Sequence, residues 1–172
     1  MIRTPRLPLF TARLDSPLGP IVLAATERAL CGLWFEGQQH GPDAPTVARW
    51  TPAPDHPVLT QARAQVLAHL NGQRQAFDLP LDLGGGTEFQ QSVWRALLSV
   101  GYGQTCSYGT LAQQIARPQA VRAVGAAVGR NPLSLVVPCH RVLGAQGQLT
   151  GYAGGLQRKQ ALLQLEASHA AC

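Results

Sequence analysis

Hydrophobic and polar positions alternate in short runs over the first part of the chain. Leu9 to Leu14 and Ile21 to Ala25 predict strands, separated by the turn Asp15-Ser16-Pro17-Leu18-Gly19-Pro20. The apolar stretch Ala29 to Phe35 extends them into a β-meander. Residues 36–56, rich in Gly, Pro, Asp and His, predict a loop. The period then becomes helical. Val58, Leu59, Ala62, Val66, Leu67 and Leu70 share a face, and Asn71-Gly72 closes the helix. Leu79 to Leu83 predicts one more strand. Gly84-Gly85-Gly86 reads as a flexible joint. The expected fold class is α/β: a small N-terminal lobe over residues 1–86, made of an antiparallel sheet plus a helix, followed by a mostly helical domain over residues 87–172.

In the second half, Thr87 and Gln90 fit a capping box that opens a helix with an apolar stripe of Phe89, Val93, Trp94, Leu97 and Leu98. Gly101-Tyr102-Gly103 breaks it. Ser107 caps a second helix to about Ala116, with Leu111 and Ile115 facing inward. Pro118 separates this from a third, Gln119 to about Gly129. Two short helices joined by a tight turn resemble a helix-turn-helix, a pattern shared with ordinary αα-hairpins. The third helix is built largely of small residues, which permits close approach to a neighbouring helix or to a narrow groove; the DNA minor groove is about 6 Å wide. Arg122 is its one long side chain. Leu133 to Val137 predicts a buried, strand-like run that delivers Cys139 between Pro138 and His140. Five glycines from Gly144 to Gly155 shape the next loop. Leu156 to about Ala167 predicts a last helix with Glu166 near its end.

Composition narrows the function classes. With 45% hydrophobic and 13% charged residues over 172 positions, the chain can bury a core, which excludes wholesale disorder. The apolar runs are too short for a bilayer, and Met1 to Pro8 lacks the apolar segment of a signal peptide, so a cytoplasmic protein without membrane contact is expected. The charge is uneven. Residues 1–86 hold seven Arg and seven acids. Residues 87–172 hold six Arg and one Lys against Glu88 and Glu166, which accounts for the whole net charge of +5. A basic half beside a neutral one points to a polyanion such as nucleic acid, or to a solvated basic face.

The four cysteines form no CxxC pair and no zinc-finger spacing, so neither a metal site nor a disulfide framework is expected. Cys31 reads as core, and Cys172 as a frayed terminus. Cys139 has neighbours of a different kind. A cysteine becomes nucleophilic when its thiolate is favoured by a nearby His or by backbone donors. On extended backbone, adjacent side chains point apart, so His140 would act on Cys139 through a water. The imidazole needs a carboxylate to fix its tautomer. Of the two in this half, Glu166 can sit at the core edge, whereas Glu88 starts a surface helix. A buried structural Cys with a capping Glu is the ordinary alternative.

Pro138-Cys139-His140-Arg141-Val142, with Asn131-Pro132 upstream, resembles the active-site signature of the O6-alkylguanine-DNA alkyltransferases. The resemblance extends over Thr87 to Trp94, Ser107-Tyr108, Arg122-Ala123-Val124-Gly125, Gly151 to Leu156, Lys159 and Leu162 to Glu166, with an N-terminal turn at Asp15 to Gly19. It implies a suicide repair protein that needs no cofactor. Cys139 would keep the alkyl group from O6 of guanine as a thioether. His140 would be its water-mediated base, oriented by Glu166. Asn131 would hold the active-site turn. Tyr108 would donate to the leaving guanine and crowd the phosphate that rotates. Arg122 would fill the stack left by a flipped base, Ala123 and Gly125 would make close minor-groove contacts, and Val142 and Ala153 would line the base pocket. The implied partner is double-stranded DNA carrying O6-alkylguanine, bound by a monomer.

Some positions depart from the family pattern. Gly101 stands where relatives often have Pro, and Ala153 where some have Ser, which would remove one pocket hydrogen bond. Arg130 is a candidate phosphate contact outside the pattern. The structural zinc of mammalian relatives has no ligand set here. Two other classes compete. A cysteine hydrolase leaves the basic half without a task, and a DNA-binding sensor or regulator without alkyl transfer leaves Pro138-Cys139-His140-Arg141 without one.

Overall fold

Alternation over residues 10–35 produces three strands in a computed structural model that describes residues 9–170: β1 (Phe10–Leu14), β2 (Ile21–Ala25) and β3 (Leu30–Phe35). β1 pairs antiparallel with β2 from Phe10↔Ala25 to Leu14↔Ile21, and β2 pairs antiparallel with β3 from Ile21↔Phe35. The expected loop over 36–56 contains a short helix, α1 (Ala44–Val47), and a two-residue strand, β4 (Thr51–Pro52). β4 runs parallel to β1, so the sheet order is β3-β2-β1-β4 and the sheet is not purely antiparallel. Helix α2 (Pro57–Leu70) has Pro57 in its first turn and ends at Asn71, with Gly72 in the left-handed region. The Met1 to Pro8 and Cys172 expectations lie outside the described residues.

Two expected strands do not form. Leu79 to Leu83 makes only a single bridge, Leu30↔Leu81, because Pro80 has no N–H to continue a ladder. Leu133 to Val137 is buried but not extended. It touches β3 at Leu33↔Leu133, then turns at Leu135 (φ 71°), where Val137 N–H donates back to Leu133 O at 2.9 Å. Cys31 is also corrected: it is half-buried on the outer face of the sheet, beside Trp34 and Trp50, and not in the main core.

Helix α3 (Glu88–Leu97) starts on the Thr87–Gln90 capping box. Strand β5 (Cys106–Ser107) leads into α4 (Tyr108–Gln114), capped by Ser107, and a tight turn leads to α5 (Val121–Gly129). The chain then passes through a 3₁₀ turn at Cys139–Arg141 into β6 (Val142–Leu143), which pairs with β5, and ends in α6 (Leu156–His169). Trp94 Nε1–H donates to Ala127 O at 2.8 Å and pins α3 to α5. The Trp94 ring covers Gly86, where a Cβ would collide with it, so this glycine is a packing necessity and not only a joint. One hydrophobic core runs through Leu33 and Phe35 of the sheet, Val66 of α2, Leu97 of α3, Leu111 of α4, Val124 of α5 and Leu162 of α6.

The α4–α5 turn carries local strain. Arg117 N–H donates to Ala112 O (2.8 Å) and Ala116 N–H to Gln113 O (3.0 Å), a Schellman closure with Ala116 at φ 57°. That conformation favours glycine, and Ala116 is exposed. Ala116→Gly should therefore raise stability by about 1 kcal/mol, read as a higher denaturant midpoint at unchanged m-value; a lower midpoint would contradict the strain argument.

Candidate functional site

Cys139 reaches its position through a series of backbone ties. Leu33 N–H of β3 donates to Pro132 O (2.8 Å), and Ser134 N–H donates back to Leu33 O (3.0 Å). Asn131, buried just upstream, clamps the following turn: its Nδ2 donates to Val137 O (2.7 Å) and Leu133 O (3.4 Å), and its Oδ1 accepts from Leu133 N–H (3.0 Å). Pro138 then enters the 3₁₀ turn of Cys139, His140 and Arg141. The extended backbone expected there is a tight turn instead, which still directs neighbouring side chains apart.

His140 and Arg141 converge on Glu166, which α6 supplies. His140 Nε2 lies 2.7 Å from Glu166 Oε1. Arg141 donates from Nε to both carboxylate oxygens (3.1 and 2.9 Å) and from Nη2 to Oε1 (2.8 Å). Gly103 N–H adds a fourth donor to Oε2 at 3.3 Å, and Arg141 Nη1 donates to Val100 O. Glu166 is 1% exposed, deeper than the core edge expected of it. Burial works against its charge, but the hydrogen bonds from His140 and Arg141 outweigh that and take its pKa down to about 2. With a carboxylate opposite, His140 Nε2 carries the proton. Its buried Nδ1 has no hydrogen-bond partner among the described residues and is left with its lone pair, as a base. Burial lowers the His140 pKa, with Glu166 opposing.

Burial raises the Cys139 thiol. Against it act the Asn131 side chain, the backbone N–H groups of Cys139 and His140, and the charge of Lys159. Lys159, the chain's only lysine, is fully buried in α6 and donates to Val142 O (2.6 Å) and Thr150 O (2.9 Å). Among the described residues this cation has two carbonyls but no carboxylate for a partner, so its field is available to a thiolate.

Cys139 lines a cavity of about 200 Å³ together with Tyr108, Gly125, Val128, Gly129, Gly151, Tyr152, Ala153 and, from the first half, Gln39 and His40. The volume is below the roughly 300–1,000 Å³ usual for drug-sized ligands. Thr150 Oγ1 donates to Tyr108 Oη at 3.4 Å. Of the residues singled out from sequence, Cys139, Tyr108, Gly125 and Ala153 meet in this cavity. Asn131, His140 and Glu166 stand behind it. Arg122 and Ala123 lie outside it, on the exposed face of α5, and Arg130 is exposed just beyond. Val142 is corrected: it is fully buried, and its carbonyl serves Lys159 instead of the cavity. Sequence reasoning gave no site role to Lys159, Arg141, Tyr152, Gln39 or His40. A lone lysine on the last helix and an arginine beside Cys-His were visible signals; nothing local marks the other three. Among the described residues no cluster of His, Cys, Asp and Glu could hold a metal ion, and no helix is long and apolar enough to cross a membrane.

His69 of α2 is a further buried group at this site. Its Nδ1 faces Arg74 O at 3.1 Å, and its Nε2 lies 3.8 Å from Glu166 Oε1 without a hydrogen bond. Burial takes its pKa from 6.5 down to about 4, against the pull of Glu166.

Two family models match the chain. Residues 9–83 match "6-O-methylguanine DNA methyltransferase, ribonuclease-like domain", and residues 88–168 match the DNA binding domain of the same family. A methylated-DNA–protein-cysteine methyltransferase of Mycobacterium tuberculosis (strain ATCC 25618 / H37Rv) is 49% identical over 157 residues, covering 91% of this chain and 92% of the relative. One from Methanosarcina acetivorans is 43% identical, covering 93% and 99%. The crystal structure of Mycobacterium tuberculosis OGT in complex with DNA superposes with a TM-score of 0.84 at 47% identity, covering 95% of this chain and 94% of that one.

The His69 environment sets a pH dependence. The unfolded imidazole takes a proton near pH 6.5, whereas the folded one stays neutral to about pH 4, so stability present above pH 6.5 is lost as pH falls through that window. The loss due to His69 should be about 3 kcal/mol. Denaturant titrations between pH 7 and 4 should show this slope, and His69→Phe should flatten it; an equal slope in the variant would contradict the assignment.

Proposed function

The chain belongs to the 6-O-methylguanine DNA methyltransferase family, and from that premise we propose how its own residues carry the reaction. The protein binds DNA and repairs it by transferring an alkyl group to one of its cysteines. We assign Cys139 as the acceptor and O6-alkylguanine as the substrate. One observation carries the assignment: among the described residues Cys139 is the only thiol lining the cavity, and the next imidazole is locked on a buried carboxylate with Nδ1 left as a base.

In this reading, His140 Nδ1 takes the thiol proton through a bridging water, and Glu166 stabilises the imidazolium that forms. Lys159, Asn131 and the two backbone N–H groups favour the thiolate. The sulfur attacks the alkyl carbon in line with the C–O6 bond. As the S–C bond forms, the C–O6 bond breaks and its electrons pass to guanine. Tyr108 lines the same cavity and gives its phenolic proton to the leaving base; the proton held on His140 then returns through water to the Tyr108 oxygen, so one proton has moved net from the thiol to guanine. The product is a thioether that no residue here can hydrolyse, so each molecule acts once.

The target carbon is shielded inside a duplex and the cavity is a pocket, so the base must leave the stack, at a cost of a few kcal/mol. The exposed face of α5 carries Val121, Arg122 and Ala123 with no bulky polar group besides Arg122. We place this face in the minor groove, with Arg122 filling the gap and Ala123 and Gly125 at the closest approach. The basic second half supplies sequence-independent phosphate attraction, Arg130 included. Residues 1–86 act as a scaffold for residues 87–172, and the protein works as a cytoplasmic monomer. A passive sensor would leave the buried Cys139–His140–Glu166 arrangement without a task.

Intact-mass measurement after incubation with duplex O6-methylguanine DNA should show one added methyl on Cys139, ending at one equivalent. Cys139→Ser should keep DNA affinity and lose transfer; demethylation by that variant would refute the acceptor assignment. Arg122→Ala should slow transfer from duplex DNA at least about tenfold, while transfer from free O6-benzylguanine base stays near wild type.

A further inference from the structure

The cavity wall has two origins. From the second half, besides Cys139, come Gly125, Val128, Gly129, Gly151 and Ala153, which are small or buried, and the half-buried rings of Tyr108 and Tyr152. Val128 packs in the core, Tyr108 Oη accepts from Thr150 Oγ1 and Tyr152 Oη is enclosed, so packing holds the side chains on this side. From the first half come Gln39 and His40, both exposed and both long. Their backbone is anchored. Gln39 N–H donates to Ala153 O at 3.0 Å, and Gln38 Oε1 accepts from Phe35 N–H (2.8 Å) and Ser134 Oγ (3.3 Å). The turn therefore stays against the cavity, while among the described residues no hydrogen bond holds either side chain. His40 holds φ 60°, a left-handed conformation uncommon for a side chain of its size.

The geometry of displacement gives this wall a consequence. Sulfur, carbon and leaving oxygen lie in line, so the rest of the alkyl group must splay sideways from that axis. A methyl group needs no side room. A larger group needs a wall that yields, and among the lining residues only Gln39 and His40 carry exposed side chains.

We propose that Gln39 and His40 form the yielding wall of the alkyl pocket and set the largest O6-alkyl group the protein accepts, an inference that rests on Cys139 being the acceptor. The N-terminal lobe thus determines substrate range as well as supporting the site.

The test uses the full chain and two oligonucleotides of one sequence, holding O6-methylguanine or O6-benzylguanine. Single-turnover rates are read by intact mass. Gln39→Ala and His40→Gly should each raise the benzyl-to-methyl rate ratio, by about tenfold when combined, the discrimination expected of one or two methylenes in a pocket. His40→Phe should lower it. Glycine adopts φ 60° without strain, so His40→Gly should melt at or above the wild-type temperature. A ratio unchanged in both trimmed variants would overturn the proposal. Failure of the wild-type chain to take the alkyl group from either DNA would instead overturn the acceptor assignment beneath it.

Discussion

A single buried carboxylate organises this molecule. Glu166 accepts from His140, from Arg141 through two nitrogens, and from Gly103 N–H, while His69 of α2 faces it at 3.8 Å. The hydrogen-bonded groups come from the turn at Cys139–Arg141 and the loop after α3 and meet a carboxylate of the last helix, while the first lobe adds the neutral His69 ring by packing alone. A buried charge is tolerated only when its lone pairs are satisfied, and removing one partner of such a pair typically costs about 3–5 kcal/mol. The pieces that Glu166 holds together are therefore forced into one arrangement. The same charge fixes the His140 tautomer, so in the proposed reaction the constraint that closes the fold also prepares the base.

The cysteine faces a conflict between shelter and reactivity. Burial in the cavity wall keeps Cys139 at 4% exposure and disfavours its thiolate. The opposing donors are all built into backbone turns or the α6 helix, with Lys159 held by two carbonyls in place of a counter-anion. As the acceptor in the proposed reaction, a thiol sheltered in this way is protected from casual reaction, and its ionisation depends on groups that need not reorganise when substrate arrives.

The N-terminal sheet does more than add mass. β3 presents an edge that hydrogen-bonds to residues 132–134, which fixes the start of the turn clamped by Asn131. The loop after β3 is tied to Ala153 and Ser134, so one strand end supports both the floor of the cavity and its outer wall.

Most of the local structure was legible in the chain. Periodicity located β1, β2, α2, α3 and α6, and the Thr87–Gln90 and Ser107 caps marked helix starts, because these features depend on neighbours only a few positions apart. The expected strands at 79–83 and 133–137 failed because Pro80 lacks a donor and Leu135 turns the chain against a distant strand. Cys139 and His140 stood out because they are adjacent, Glu166 because few carboxylates compete in that half, and Asn131 through the resemblance of its motif to the family signature. The placement of Val142 beside Lys159, the convergence of Arg141 and His69 on Glu166, and the entry of Gln39 and His40 into the cavity were decided only in three dimensions. Each joins residues on separate elements, and the shared core and the need to satisfy buried charge bring them together. No local pattern of hydrophobic and polar residues encodes that requirement.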